Sequence, residues 1–316
     1  MPENPVIIAT RGSALALTQA NHIFDACREA FPRLAFEVKI IKTTGDKLQT
    51  ASLSQAGDSL PKGLFTKELE VALVRQKADL AVHSLKDLPT ELPTGLKLGA
   101  VTKREDVRDV LIYKEEARFA GPIPQIKEGG MVATSSTRRQ AQVSAVRPDL
   151  ELAEIRGNVP TRLEKLADDE QMDGTILAAA GLNRLNFSIS GEGFLEGDAV
   201  PDGLRAAALD TGIMLPCVGQ GAIGLEIREE DGRIEKIVER LNHFNTMASV
   251  SAERSFLKAM GGGCQSPVGA HAVVEGSKIR MHAVSFFGDT MQCTEQTGDL
   301  REPILLGEAV ADQLRA

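Results

Sequence analysis

Asp79-Leu80-Ala81-Val82-His83-Ser84-Leu85-Lys86-Asp87 is the stretch on which the fold turns. Its short apolar run, residues 79–83, reads as a buried strand. Asp87 follows at the carboxyl end, where open α/β sheets bind their ligands. Outward from this strand the same alternation repeats. Before it come a strand at 6–9, a helix at 14–30, a strand at 36–41 and a helix at 65–76. After it come strands at 131–134, 150–155 and 175–178, with helices between them. Alternation of this kind predicts α/β layers with mostly parallel strands. Beyond Glu230 the pattern changes. Helices at 234–241 and about 249–260 precede strand-like runs at 269–274, 278–286 and 291–297, and a last helix spans 303–314. Helices followed by consecutive strands predict a small α+β unit at the C-terminus.

The chain has 316 residues, more than one hydrophobic core usually supports, so two or three domains are expected. A net charge of -8, no Trp and a single Tyr argue against a nucleic-acid binder, which needs basic patches and stacking surfaces. No run of about 18 apolar residues is present, so no membrane span is expected. The first ten residues lack a basic segment leading into an apolar core, which predicts no signal peptide and a cytoplasmic protein. Cys27, Cys217, Cys264 and Cys293 are widely spaced with no Cys-x-x-Cys pair. That pattern fits free thiols in a reducing compartment rather than disulfides or a zinc site.

Four segments carry candidate chemistry. Thr134-Ser135-Ser136-Thr137-Arg138-Arg139 lies between a strand and a helix. Its hydroxyls can cap the helix, and the first turn offers free N–H groups that attract anions. Composition alone favours an ordinary cap with solvated arginines. Arg147, Arg156 and Arg162 follow closely, however, and Arg11-Gly12-Ser13 repeats the strand–Arg–Ser–helix arrangement. Arginine is a rigid fork for carboxylate or phosphate, so the cluster points to a small polyanion. Lys86 and Asp87 are either a surface pair or cleft residues, and His83 reads as a packed, hydrogen-bonded histidine. Gly261-Gly262-Gly263-Cys264-Gln265 places a cysteine beside three glycines, which permit close approach by a ligand. The alternative is a small buried thiol without reactivity. Cys27, Cys217 and Cys293 lack this setting and read as structural. Residues 44–61, ahead of Lys62-Gly63-Leu64-Phe65, are either a solvated loop or an active-site lid.

Taken together, these segments resemble the porphobilinogen deaminase family. The matching stretches are Ala9-Thr10-Arg11-Gly12-Ser13, Lys62-Gly63-Leu64-Phe65, His83-Ser84-Leu85-Lys86-Asp87, Thr134-Ser135-Ser136-Thr137-Arg138-Arg139-Gln140, Arg156-Gly157-Asn158, Ala180-Gly181-Leu182-Asn183-Arg184-Leu185, Val218-Gly219-Gln220-Gly221-Ala222 and Gly262-Gly263-Cys264-Gln265. They occur in the family's order from about residue 6 to 270, and the ordered set is far more specific than any one of them.

The resemblance implies a transferase. A dipyrromethane cofactor is tethered by a thioether to the cysteine matching Cys264. Four porphobilinogen molecules are added in turn with loss of ammonia, and water releases the linear tetrapyrrole hydroxymethylbilane. Asp87 matches the aspartate that contacts pyrrole nitrogens and supports positively charged intermediates. Arg11, Arg138, Arg139, Arg156, Arg162 and Arg184 match arginines that hold acetate and propionate groups. Ser13, Lys62, Ser84, Lys86, Thr134, Ser136 and Gln220 match further cofactor or substrate contacts. The implied fold is two type II periplasmic-binding-protein-like α/β domains around a central cleft, plus a small α+β domain bearing the cysteine loop. Boundaries are expected at 1–104 with 222–240, at 105–221 and at 241–316, with crossings near 103–108 and 211–222. A monomer is implied, with no metal. Three departures stand out: Ser59-Leu60-Pro61 where the family has Gly-Gly before Lys62, Pro160 near Arg162, and a longer loop at 188–202. The competing reading is a small-anion binding module without catalysis, since fold alone does not decide function. Such a module needs no cysteine at position 264.

Overall fold

The computed structural model describes residues 4–43, 66–114, 119–263, 265–288 and 290–315. Within residues 79–87, β3 (Leu80–Ser84) forms the middle of a five-stranded sheet. Its neighbours are β1 (Val6–Thr10), β2 (Phe36–Ile40), β4 (Leu96–Val101) and β12 (Ile223–Arg228), in the order β2-β1-β3-β12-β4. Helices cover both faces. Ile23 and Cys27 of α1 (Ala14–Ala30) pack with Val6, Ile8 and Val82, joined by Ile234, Ile237 and Val238 of α6 (Gly232–Glu239). On the other face Leu69, Ala72 and Leu73 of α2 (Lys67–Val74) cover Ala9 and Ala81. Burial on both faces is why β3 reads as a continuous apolar run rather than an alternating one.

A second five-stranded sheet holds β5 (Asp109–Tyr113), β6 (Met131–Ala133), β7 (Glu151–Ala153), β8 (Gly174–Ala178) and β11 (Arg205–Ala208), in the order β11-β5-β8-β6-β7. Its helices are α3 (Thr137–Val146), α4 (Val159–Asp168) and α5 (Ala179–Arg184). Part of the longer loop at 188–202 is a two-stranded ladder of β9 (Ser188–Ile189) and β10 (Leu195–Glu196).

In each sheet four of the five strands run the same way, as the alternation predicts, and one strand runs against them. β12 runs antiparallel to both β3 and β4, and β5 runs antiparallel to both β8 and β11. The physical reason is connectivity. The chain leaves the first sheet after β4, runs through 102–108 into β5, and returns through 209–222 into β12. The strand that each crossing leads into runs against the other four of its sheet. The two crossings touch. Gly221 has φ +86°, and a Cβ there would meet the Glu105 carbonyl oxygen at 2.6 Å, so only glycine fits. Arg104 Nε donates to the Gln220 carbonyl at 2.8 Å and Arg184 Nη2 to the Gly221 carbonyl at 2.6 Å.

The C-terminal unit is an antiparallel meander of β13 (Val268–Glu275), β14 (Lys278–Ser285) and β15 (Gln292–Asp299). One face is covered by α7 (Phe244–Ala259) and α8 (Pro303–Arg315) through Phe256, Ala270, Met281, Val310 and Leu314. Fully burying a side chain of this size contributes about 1.5–3 kcal/mol relative to leaving it exposed. Helix α7 begins earlier than its sequence pattern suggested, because His243 caps it through the Thr246 N–H at 3.3 Å. Its end explains the first glycine of the Gly-rich segment. Gly261 has φ +68°; its N–H reaches the Lys258 carbonyl, and the Gly262 N–H reaches the Leu257 carbonyl. That is a Schellman stop, so Gly261 terminates the helix rather than making room for a ligand.

Glu253 of α7 ties this unit to both crossings. It is fully buried and accepts from Arg104 Nη1 and Nη2 at 2.6 and 3.0 Å. The Gly219 and Ala272 N–H groups also donate to it, each at 2.8 Å.

Candidate active site

A cavity opens at the carboxyl ends of β1 and β3. Arg11, Ser13, Gln19, His83, Ser84 and Asp87 are among the residues lining it. Ser13 is the N-cap of α1, accepting from the Ala16 N–H at 3.4 Å. Ser84 is held by Gln19, whose Nε2 donates to its Oγ at 2.8 Å. Asp87 ends a single 3-10 turn, Leu85–Asp87, that follows β3 directly, so the strand delivers it to the rim.

The second sheet contributes the start of α3. Thr134 is buried at the end of β6, and its Oγ1 accepts from the Ser136 N–H at 3.3 Å. Ser136 caps α3 through the Arg139 N–H at 3.4 Å. Arg138 and Arg139 follow in the first turn and are only 3% and 6% exposed. They are therefore not solvated arginines on a capped helix. Both reach Asp109, the first residue of β5, which is fully buried. Arg138 Nη1 lies 2.8 Å from one carboxylate oxygen and Arg139 Nη2 2.7 Å from the other. Burial pushes the Asp109 carboxyl up, but the two guanidiniums override it and hold the group below the usual carboxylate range.

Gln220 joins the two halves. Its Nε2 donates to Asp109 at 2.9 Å and to the Val107 carbonyl at 2.7 Å, while its Oε1 accepts from Lys86 Nζ at 3.3 Å. Lys86 is thus a cleft residue, not half of a surface pair. Burial pulls its pKa down, and Arg139 adds to the effect. Arg162 on α4 donates through Nε to the Gly157 carbonyl at 2.9 Å. Burial lowers its guanidinium to about 10, Arg139 pushes in the same direction, and Asp87 opposes both. Pro160 does not disturb this placement: it sits in the first turn of α4, where proline is tolerated and Asn158 supplies the cap.

Lys86, Arg138, Arg139 and Arg162 thus crowd one region in which Asp87 and Asp109 are the acidic groups acting on them. Positive charge is in excess, and an anion entering the cleft relieves it. A dipyrrole with a carboxylate on each short side arm has the matching chemistry, and guanidinium forks bind carboxylates in two-point fashion. The loop bearing the candidate cysteine abuts this region, since Thr137 Oγ1 donates to the Gln265 carbonyl at 2.6 Å. Cys264, Lys62 and the proposed lid at 44–61 lie outside the described residues.

Other candidates sit farther from the cation cluster or bind the frame. Arg156 is exposed and pairs with Glu154 at 3.1 Å, though its charge acts on Arg162. Arg184 clamps the crossing at Gly221. Spacing alone groups Arg147 with the cluster, but it faces away. It is buried against the Phe119 ring and pairs with Asp149, donating to the carbonyls of Ile123 and Ile126. Cys27 is a buried core thiol that burial pushes to about 12, and Cys293 is exposed. Cys217 is different. It lies at the cleft, where burial raises its pKa while Arg138 and Lys86 lower it.

The sequence reading missed Gln19, Asp109 and Glu226. Asp109 closes the run Arg104-Glu105-Asp106-Val107-Arg108-Asp109, which reads as solvated crossing. Only its position as the first residue of a buried strand marks it out.

Comparison with known proteins adds a family. The model for the porphobilinogen deaminase dipyrromethane cofactor-binding domain matches residues 6–236, and that for the porphobilinogen deaminase C-terminal domain matches 247–316. The porphobilinogen deaminase of Carboxydothermus hydrogenoformans is 41% identical over 311 residues, covering 98% of this chain and 93% of the relative. Those of Trichlorobacter lovleyi and Moorella thermoacetica are 43% and 44% identical, each over 98% of this chain and 92% of the relative. With both domains matched end to end and the cation-rich cleft between its two sheets, the chain belongs to the porphobilinogen deaminase family.

Proposed function

We propose that this chain is a hydroxymethylbilane synthase. It condenses four porphobilinogen molecules head to tail on a covalent dipyrromethane primer, releases ammonia at each step, and frees the linear tetrapyrrole by hydrolysis. The observation that carries this reading is the family match across the cofactor-binding and C-terminal domains, with Gly262-Gly263-Cys264-Gln265 intact. The small-anion binding module does not account for that match.

When bound, the dipyrromethane supplies a nucleophilic pyrrole carbon on which the chain grows. The protein's own residues do the rest. We assign Cys264 as the attachment point. Arg138, Arg139 and Arg162, with Arg11, Arg156 and Arg184, bind the carboxylate side arms, and Lys86 adds a further cation. Ser13, Ser84, Thr134, Ser136 and Gln220 fix the walls; Lys62 belongs to the same set on resemblance. Asp87 accepts hydrogen bonds from pyrrole N–H groups and stabilises the positive charge that develops as ammonia leaves. A fixed carboxylate lowers the barrier because it interacts more strongly with that charge than with the neutral ground state. We take the domains as 1–104 with 222–240, 105–221 and 241–316, the working form as a monomer, and the compartment as the cytoplasm. No described helix is long and apolar enough to cross a membrane.

Intact-protein mass spectrometry tests the proposal. The purified chain is expected to weigh more than its sequence by one dipyrromethane, located on Cys264 by peptide mapping, and to release ammonia from porphobilinogen. Cys264→Ala is expected to lack the adduct and to be less stable, because a group bound only by the native state stabilises it. An adduct on Cys27, Cys217 or Cys293 overturns the assignment. A bare protein giving no colour with an acidic aldehyde pyrrole reagent favours the binding module.

A further inference from the structure

His83 was expected to be a packed, hydrogen-bonded histidine, and it is buried. Two observations give it more to do. His83 lines the same cavity as Asp87, Arg11 and Ser13. Behind it, Nε2 lies 2.9 Å from Oε2 of Glu226, a fully buried residue on β12. A carboxylate is an acceptor, so it selects the tautomer with the proton on Nε2 and leaves the Nδ1 lone pair bare. No hydrogen bond to Nδ1 is formed among the described residues. An imidazole oriented by a buried carboxylate, on a residue that lines a pocket, is the arrangement of a general base. Glu70 on α2 lies close enough to act on both groups, and burial raises its pKa.

Resting on the function proposed above, we propose that His83, oriented by Glu226, accepts the proton lost from the attacking pyrrole carbon. From the second addition onward that carbon belongs to the last substrate unit added. It bonds to the methylene carbon of the incoming unit, whose C–N bond breaks so that the ammonium group departs as ammonia with the bonding pair. The α C–H bond then breaks; its electrons restore the aromatic ring and its proton goes to Nδ1. The imidazolium passes that proton to ammonia, which leaves as ammonium. Asp87 stabilises positive charge throughout, and His83 moves the proton.

The test uses the cofactor-loaded protein. His83→Gln keeps a donor for Glu226 but has no basic ring nitrogen. It is expected to fold, carry its cofactor by mass, and turn over about 10²–10⁴-fold more slowly, the usual contribution of general base catalysis. Porphobilinogen deuterated at its free α-carbon should react more slowly than the protiated form in this variant, since removal of that proton has become limiting. Independently of activity, nitrogen NMR of the His83 ring in the resting wild type should show a protonated Nε2 and a bare Nδ1. Loaded His83→Gln with near wild-type turnover, or slow turnover without an isotope effect, overturns the proposal; so does a protonated Nδ1 on a neutral ring. If His83→Gln does not fold, Glu226→Gln must show the isotope effect instead, and its absence is equally decisive. Failure of the wild type to release ammonia from porphobilinogen sinks the family function itself, whereas an active wild type with an unaffected variant sinks only the role of His83.

Discussion

Asp109→Asn preserves the shape of the anchor beneath Arg138 and Arg139 and removes its charge. The carboxylate is fully buried, 2.8 Å from Arg138 Nη1 and 2.7 Å from Arg139 Nη2. With charge centres about 4 Å apart and an effective dielectric of about 20, each guanidinium contributes roughly 4 kcal/mol of attraction. Desolvation offsets several kcal/mol per ion, and removing one member of such a buried group costs about 3–5 kcal/mol because the remaining charges are stranded. That is a large share of the roughly 5–15 kcal/mol by which folded proteins are stable. Urea unfolding followed by circular dichroism measures it: the midpoint should fall while the slope stays constant. Acidity supplies a second check. The folded Asp109 pKa lies below its unfolded value, because Arg138 and Arg139 outweigh burial. Its stabilisation is therefore fully present above the unfolded value of about 3.9 and is lost as pH falls toward the folded one. The gap between wild type and Asp109→Asn should hold from pH 7 to about pH 5 and shrink below about pH 4. A gap under about 1 kcal/mol at pH 7, or one that widens on acidification, refutes the reasoning.

Two further substitutions probe the chemistry and the frame. Asp87→Asn should fold and carry its cofactor yet nearly lose turnover, while Asp87→Glu should slow it by about 100-fold through misplacement of the charge; single-turnover kinetics decide, and near-normal Asp87→Asn moves the catalytic role elsewhere. Glu253→Gln leaves Arg104 without its charge partner at the junction of both crossings and the C-terminal unit, and should cost about 3–5 kcal/mol in the same urea assay. A loss below about 1 kcal/mol shows that the junction does not depend on that ion pair.

By itself the sequence determined the layering and named many of the residues that meet at the cleft. Buried strands such as residues 79–83 announce themselves because both faces must be apolar, and caps such as Ser13 and Ser136 announce helix starts through local hydrogen bonds. Motif order pointed to the family, and with it to Asp87 and Cys264. What local pattern could not determine was strand direction, because β12 and β5 are antiparallel by virtue of where the chain returns from, not of which residues they contain. Nor could it separate Arg147, which closes a core, from Arg139, which serves the cleft; both are arginines near a helix and differ only in what the fold brings against them. The same holds for the carboxylates. Asp109, Glu226 and Glu253 are ordinary acidic residues in sequence, and each lies far along the chain from the partner that gives it a role, as the 143-residue separation of His83 and Glu226 shows. Only folding brings such partners within hydrogen-bond distance, and only exclusion of water makes their charges strong enough to matter.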